Sequence, residues 1–141
     1  MQSQSIVLIT IKIEESVKYM GLYLNDFSSL TDVVSNYGIS HQELEGANMI
    51  LADYTYENYE GSSYVLFEKD GKLYEVSGSH CSCYGLENQW EPEEVLLEEL
   101  IKRIDTNSFH HGTNKDELGE ILRYIQLAGI DAALVLFNLD R

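Results

Sequence analysis

Ser63-Tyr-Val-Leu-Phe-Glu-Lys-Asp-Gly-Lys-Leu-Tyr-Glu-Val76 is the stretch that decides the fold class. Asp70-Gly71 is a two-residue hairpin signal of type I′, a turn in which both central residues take positive φ. Folding the chain there pairs Lys69 with Lys72, Phe67 with Tyr74 and Val65 with Val76. The last four residues then share one apolar face, while Glu68 and Glu75 fall on the other. That register agrees with burial of one side of a sheet. Upstream, Met49 to Tyr56 alternates and puts Ile50, Ala52, Tyr54 and Tyr56 on one face. Asn58-Tyr-Glu-Gly61 turns the chain into the hairpin, and the three segments predict a β-meander.

The flanks add helices and one more strand pair. Ile6 to Ile13 is β-branched and reads as a strand, with Lys18 to Leu24 as its hairpin partner. Ser28 to Gly38 reads as a short helix, started by Ser28 or Ser29 and stopped by Gly38. His41 to Gly46 is a polar connection or a single helical turn. Ser77 to Trp90 reads as a Gly/Ser/Cys-rich loop that turns Tyr84, Leu86 and Trp90 into the core. Glu91-Pro92 then opens a helix with Glu93 and Glu94 in its first turn, because proline suits the first helical position and acids suit the positive end of the dipole. Its predicted buried stripe is Leu96, Leu97, Leu100, Ile101 and Ile104, with Lys102 and Arg103 at its C-terminal end. After a loop from Thr106 to Thr113, Asn114 caps a further helix with Leu118, Ile121, Leu122, Ile125 and Leu127 inward and Gly129 as its stop. Asp131 to Leu139 is a terminal helix or a last strand, and the helix is preferred. The expected fold class is α+β, an antiparallel β-meander sheet with helices packed on one face. A single domain is expected over residues 1–141, with an N-terminal strand and helix extension at 1–40, a core at 46–103 and a C-terminal helical part at 106–141.

The chain has 141 residues, 44% of them hydrophobic, with ten Tyr, four Phe and one Trp. That is enough apolar material for one core, and disordered acidic chains are poor in aromatics. The formal net charge of −15 repels nucleic-acid phosphates and anionic lipid heads and attracts basic surfaces. Direct nucleic-acid binding and membrane association are therefore not expected. No apolar run approaches the ~20 residues of a spanning helix, and Met1 to Ile13 lacks the basic start and small-residue cleavage site of a signal peptide. Cys81 and Cys83 stand too close for an unstrained disulfide and read as the thiols of a cytoplasmic protein.

Gly78-Ser-His-Cys-Ser-Cys-Tyr-Gly85 carries the soft-ligand chemistry. His80, Cys81 and Cys83 are candidate metal ligands, but structural zinc sites take cysteines two to four residues apart and four ligands in all. The fourth would have to come from His41, His110 or His111, and in an extended segment Cys81 and Cys83 point to opposite sides. A Cys/His nucleophile needs a base within hydrogen-bond reach of the thiol, which adjacent residues rarely achieve. No phosphate-binding glycine loop, HExxH or GxSxG occurs. Glu87, Glu91 and Glu94 around Trp90 imitate a carboxylate pair, yet glutamates at a helix start more often serve its dipole. No cofactor, no metal and no enzymatic activity are expected. The alternative is a metal-binding or thiol-dependent protein centred on His80, Cys81 and Cys83.

Between Lys72 and Lys102 there is no basic residue, while Glu75, Glu87, Glu91, Glu93, Glu94, Glu98 and Glu99 lie there. Glu94 and Glu98 fall one turn apart on the predicted helix. Carboxylates so spaced imitate duplex phosphates, and a Lys/Arg groove meets them with fast, complementary association. Tyr56 and Tyr59, with Tyr54 and Tyr64 nearby, add aromatic anchors of the kind enriched in interfaces. The predicted partner-binding set is Glu87, Glu91, Glu93, Glu94, Glu98, Glu99, Tyr56 and Tyr59. The plain alternative is that the acids keep the protein soluble and the tyrosines pack on the core.

The runs Tyr56-Glu-Asn-Tyr-Glu-Gly-Ser, Lys69-Asp-Gly-Lys-Leu-Tyr-Glu-Val76 and Gly78-Ser-His-Cys-Ser-Cys-Tyr-Gly-Leu-Glu-Asn-Gln-Trp-Glu-Pro-Glu-Glu94 resemble a family of small uncharacterised proteins of bacteriophages and mobile elements. The resemblance covers residues 46–103, and Ser79 to Trp90 is its distinctive part. It brings no catalytic residues. It implies a bacterial cytoplasmic setting and an anti-defence role of the anti-CRISPR kind. The expected partner is a basic protein such as a CRISPR effector nuclease or another nucleic-acid-handling enzyme, whose groove the acidic protein would occlude.

Overall fold

A computed structural model describes residues 22–82, 84–109 and 115–137. The Asp70-Gly71 turn forms as predicted, with φ of +54° and +81°. It joins β3 (Glu60–Lys69) to β4 (Lys72–His80) in the predicted register, Lys69 opposite Lys72, Phe67 opposite Tyr74 and Val65 opposite Val76. Glu68 lies off the apolar face yet is buried. Its Oε2 accepts the Gly71 N–H at 2.7 Å and its Oε1 accepts the Asn48 side-chain amide at 2.8 Å. One carboxylate thus ties the turn to the neighbouring strand, and the donors offset its desolvation.

That neighbour is β2 (Asn48–Glu57), antiparallel to β3. Met49 stands opposite Phe67 and Leu51 opposite Leu66, so Ile50 is an extra residue, a β-bulge. The bulge corrects the predicted alternation: Met49, not Ile50, joins Ala52 and Tyr54 in the core cluster. The turn from β2 to β3 is also tighter than the four residues expected. Only Asn58 and Tyr59 form it, at φ +52° and +65°, and Glu57 already pairs with Glu60.

Two short strands complete the sheet, in the order β1-β2-β3-β4-β5. β1 (Leu22–Asn25) runs parallel to β2, with Leu22 opposite Leu51 and Asn25 opposite Tyr54. It contains the end of the predicted Lys18 to Leu24 strand. The proposed hairpin with Ile6 to Ile13 lies outside the described residues. β5 (Glu93–Val95) pairs antiparallel with Leu73 to Glu75 of β4.

β4 and β5 each overturn one expectation. Ser77 to His80 belong to β4, so the loop begins only at Cys81. Glu91-Pro92 opens a strand, and the helix starts later, as α2 (Leu97–Asp105), with Leu96 in extended conformation before it. The open edge of β4 supplies ladder partners to Glu93–Val95 and a buried site for Val95, which outweighs the helix-start preference of a proline.

α1 (Leu30–Tyr37) matches its sequence signals. The Ser29 hydroxyl accepts the Asp32 N–H, while the Asp32 carboxylate accepts both the hydroxyl and the backbone N–H of Ser28. These Ser28 bonds hold the Asp32 pKa below its ordinary value. Gly38, at φ +68°, closes the helix. α1 lays Val33, Val34 and Tyr37 on the sheet face formed by Met49, Ala52, Tyr54, Val65, Phe67 and Val76, with Phe27, Leu44 and Leu86 filling the rim. Each such side chain contributes about 1.5–3 kcal/mol by leaving water. Leu44 comes from a single 3₁₀ turn, His41–Leu44, one of the two forms expected there.

By its contacts the chain divides into two compact units, one of residues 22–95, the other beginning at Leu96 in the described residues. In the second, α2 is followed by α3 (Lys115–Ala128) and α4 (Ile130–Phe137), the helix preferred for the C-terminal segment. Leu100, Leu118, Ile121, Leu122 and Ile125 are buried as predicted, whereas Leu96 and Leu127 are exposed, contrary to expectation. Leu96 precedes the helix and so leaves its stripe. Leu127 lies past the buried face that ends at Ile125, and Gly129 stops α3 at φ +90°. The predicted Asn114 cap lies outside the described residues. Among the described residues no helix is long and apolar enough to cross a membrane.

Two predictions follow from the turn and the core. Nothing would lie within 4 Å of a Cβ on Gly71, so Gly71→Val meets only the backbone penalty of its φ of +81°. Urea unfolding should show a loss of about 1 kcal/mol or more; an unchanged midpoint would refute the turn type. Burial pushes the Tyr37 phenol up to about 12, despite its hydrogen bond to Ser63. The folded state therefore holds a proton that the unfolded state loses above pH 10. This contribution is complete below pH 10 and declines as pH rises towards 12, by roughly 2–3 kcal/mol. Tyr37→Phe should flatten that alkaline loss of stability in a pH series of urea melts.

Candidate functional site

Register carried from the Asp70-Gly71 turn brings His80, the last residue of β4, opposite Gly61 of β3. A Cβ on Gly61 would sit 2.1 Å from His80 Nε2, so the imidazole lies across the strand only because residue 61 has no side chain. There it reaches β2. Its Nε2 is 2.6 Å from the Tyr54 hydroxyl, and its ring stacks on Tyr56 at 5.3 Å and 24°. Its Nδ1 is 2.8 Å from the Cys81 carbonyl oxygen, which can only accept. Nδ1 therefore carries a proton, and in the neutral ring Nε2 accepts from the Tyr54 hydroxyl. Burial, then the negative charge of Asp26, raises the Tyr54 pKa, which keeps that phenol a donor.

β1 supplies the next member. Its parallel pairing continues one residue further: the Asp26 N–H donates to the Tyr54 carbonyl at 2.8 Å, and the Tyr56 N–H donates to Asp26 Oδ2 at 2.9 Å. Asp26, Asn36, Tyr54, Tyr56, His80, Tyr84 and Gly85 line one open cleft of about 380 Å³. Two other depressions share His80, one towards the Asn58-Tyr59 turn and one towards the loop after Cys81. That loop is fastened by Gln89, whose Oε1 accepts the Ser79 N–H and whose Nε2 donates to the Gly85 carbonyl.

The predicted site residues separate into groups. Tyr56 and Tyr59 are exposed, at 43% and 73%. Tyr54 and Tyr64 are buried, and Tyr64 donates to Glu75 away from the cleft. Glu87 lies in the loop beside Gly38 and Gly85 and contributes to the raised Tyr54 pKa. Glu91 is exposed just before β5. The expectation that Glu93, Glu94, Glu98 and Glu99 share one helix is corrected. Glu93 and Glu94 are successive residues of β5 and point to opposite faces, whereas Glu98 and Glu99 occupy the first turn of α2, where the dipole favours them. Glu94 also faces Lys72 at 3.8 Å. Tyr84, expected in the core, is 73% exposed; Leu86 fills the core, and Trp90 stacks on Phe67 at 5.9 Å.

Of the soft-ligand candidates, His80 engages the backbone carbonyl of Cys81 through Nδ1, and the Cys81 side chain is exposed. Cys83, His110 and His111 lie outside the described residues, and His41 sits in the 3₁₀ turn. Among the described residues no three His, Cys, Asp or Glu side chains gather as metal ligands would.

Sequence reasoning missed Asp26, Asn36, Gly61 and Tyr84. Gly61 was readable from the hairpin register, since pairing Lys69 with Lys72 also pairs residue 61 with His80. Asp26 was not, because its place depends on the parallel pairing of β1.

The site depends on Gly61, so Gly61→Ala should expel the imidazole at a cost of about 1 kcal/mol or more. Nitrogen-detected NMR of the His80 ring should report the Nδ1–H tautomer in the natural protein and a tautomer mixture in the variant. An unchanged spectrum would refute the packing. The chain matches no protein-family model, no curated protein and no solved structure.

Proposed function

We propose that this is a non-catalytic binding protein whose partner presents a basic surface, met by the end of the meander that carries Tyr56, Tyr59 and Tyr84. One observation carries the reading, the polarity of the hairpins. Lys69 and Lys72, the only Lys or Arg between Leu22 and Val95, flank the Asp70-Gly71 turn. At the opposite end stand Asp26, Glu57, Glu60 and Glu87 with the three exposed tyrosines, and no Lys or Arg of residues 22–95. Tyr59 supports it further. A tyrosine in the left-handed region stores strain where glycine would be relaxed, and it displays an exposed ring at the hairpin tip. Aromatic rings beside carboxylates suit Lys and Arg, through charge and through the ring faces.

The anti-defence role implied by the resemblance belongs to the same proposal. The protein acts as a nucleic-acid mimic that occupies the basic groove of a bacterial nuclease or other nucleic-acid-handling enzyme. Its acids are those of the tyrosine end, Glu87 among them; the others of the sequence-predicted set, Glu91, Glu93, Glu94, Glu98 and Glu99, serve as controls.

The test is capture from a phage-susceptible bacterial lysate, with washes at graded salt. Retention of the partner should fall steeply as salt shortens the screening length to below ~8 Å, and duplex DNA should compete for the captured partner. Changing Glu57, Glu60 and Glu87 together to Gln should abolish capture, while changing Glu93, Glu98 and Glu99 to Gln should leave it. Equal loss from both sets would make net charge the cause and refute a specific face. Capture indifferent to both sets would sink the acidic reading.

A further inference from the structure

Resting on that reading, we infer that the Asp26–Tyr84 cleft is a receptor for a single arginine side chain of the partner. The cleft holds two fixed acceptors. Asp26 uses Oδ2 for the Tyr56 N–H, and its Oδ1 has no hydrogen-bond partner among the described residues. Asn36 donates Nδ2 to the Asp32 carbonyl at 2.8 Å, which fixes its amide and leaves its Oδ1 as an acceptor. His80 Nδ1–H is spent on the Cys81 carbonyl and the Tyr54 hydroxyl on His80 Nε2, while the Tyr56 and Tyr84 phenols can accept as well as donate. A ligand that satisfies this carboxylate and amide oxygen together brings N–H donors and a positive charge.

The aromatic walls select among cations. Tyr56 is stacked by His80 on one side and still 43% exposed, and Tyr84 is 73% exposed. A guanidinium is planar, weakly hydrated and stacks on such rings, and its fork of five donors can address Asp26 and Asn36 together. An ammonium is compact and strongly hydrated and does neither as well. Both acceptors are held by backbone hydrogen bonds before the ligand arrives, so little ordering is left to binding. The cleft is open, which suits a side chain on a protein surface rather than an enclosed metabolite.

The test compares nona-arginine with nona-lysine, equal in charge, by calorimetry on the natural protein and on Asp26→Asn and Tyr84→Ala. Asn at 26 keeps an acceptor for the Tyr56 N–H, and Tyr84 is exposed, so both variants should fold; far-ultraviolet circular dichroism checks this. Nona-arginine should bind about tenfold tighter than nona-lysine, and each variant should reduce that ratio to near one while nona-lysine affinity changes much less. Ring signals of Tyr56 and Tyr84 should shift with ethylguanidinium and not with ethylammonium. Equal affinity for the two peptides in the natural protein would overturn the arginine cleft and leave the basic-partner reading standing. Binding of neither peptide would overturn both. An arginine preference that survives both variants would place the selectivity elsewhere and overturn this cleft.

Discussion

The register of the β3–β4 hairpin is the constraint on which the rest of the structure depends. The left-handed pair at Asp70 and Gly71 sets Lys69 against Lys72, and the pleat then assigns every residue of both strands to a face. Near the turn this puts Val65, Phe67 and Val76 under α1. At the far end it sets His80 against the one residue of β3 that can accept an imidazole over its backbone. A slip of one residue would lift the core side chains to the opposite face and drop His80 onto Glu60 or Ser62. Core and site are therefore specified together. Glu68 reinforces the register by holding the turn and β2 with its two oxygens.

Legibility in the sequence follows how local each determinant is. The hairpin, the capped α1 and the glycine stops at Gly38 and Gly129 were readable because two to ten neighbouring residues settle them. The bulge at Ile50 was not, since the alternation of Met49 to Tyr56 is compatible with either face until β3 fixes the opposing residue. β5 is the clearest loss. Glu91-Pro92-Glu-Glu carries every mark of a helix start, and only the vacant edge of β4, set some twenty residues earlier, makes it a strand. Tertiary pairing overrides propensity there, and it takes the expected acidic helix face with it.

The site was half legible for the same reason. Tyr56, Tyr59 and Glu87 were picked for chemistry that suits their observed exposure. The sequence turns Tyr84 inward as a plug for its loop, a place that Leu86 takes with the room that Gly78 leaves beside it. Asp26 and Asn36 carry no motif. They come to the cleft through the β1 pairing and through the last turn of α1, both contacts between distant parts of the chain. His80 enters the sequence reading only in the alternative, as a metal ligand or base, and in the fold it packs across the sheet. With both ring nitrogens engaged it presents its flat face and braces Tyr56.

An acidic surface has an energetic cost that bears on its meaning. Like charges oppose the compact state, and a fold that only needed solubility would scatter them. Two acids of this unit are instead taken inside and satisfied: Asp53 accepts the Asn25 side-chain amide at 2.7 Å, and Glu68 accepts from Gly71 and Asn48. Lys72 offsets Glu94 at the sheet edge. Within residues 22–95 the acids near the exposed tyrosines receive no such relief from Lys or Arg, since both lysines of that unit stand at the other turn. Carboxylates left beside aromatic rings at one end of the sheet are, in the proposed reading, a surface whose charge balance a basic partner completes. On that proposal a cationic partner would remove the repulsion as it binds, so carboxylates that weaken the free protein would strengthen the complex.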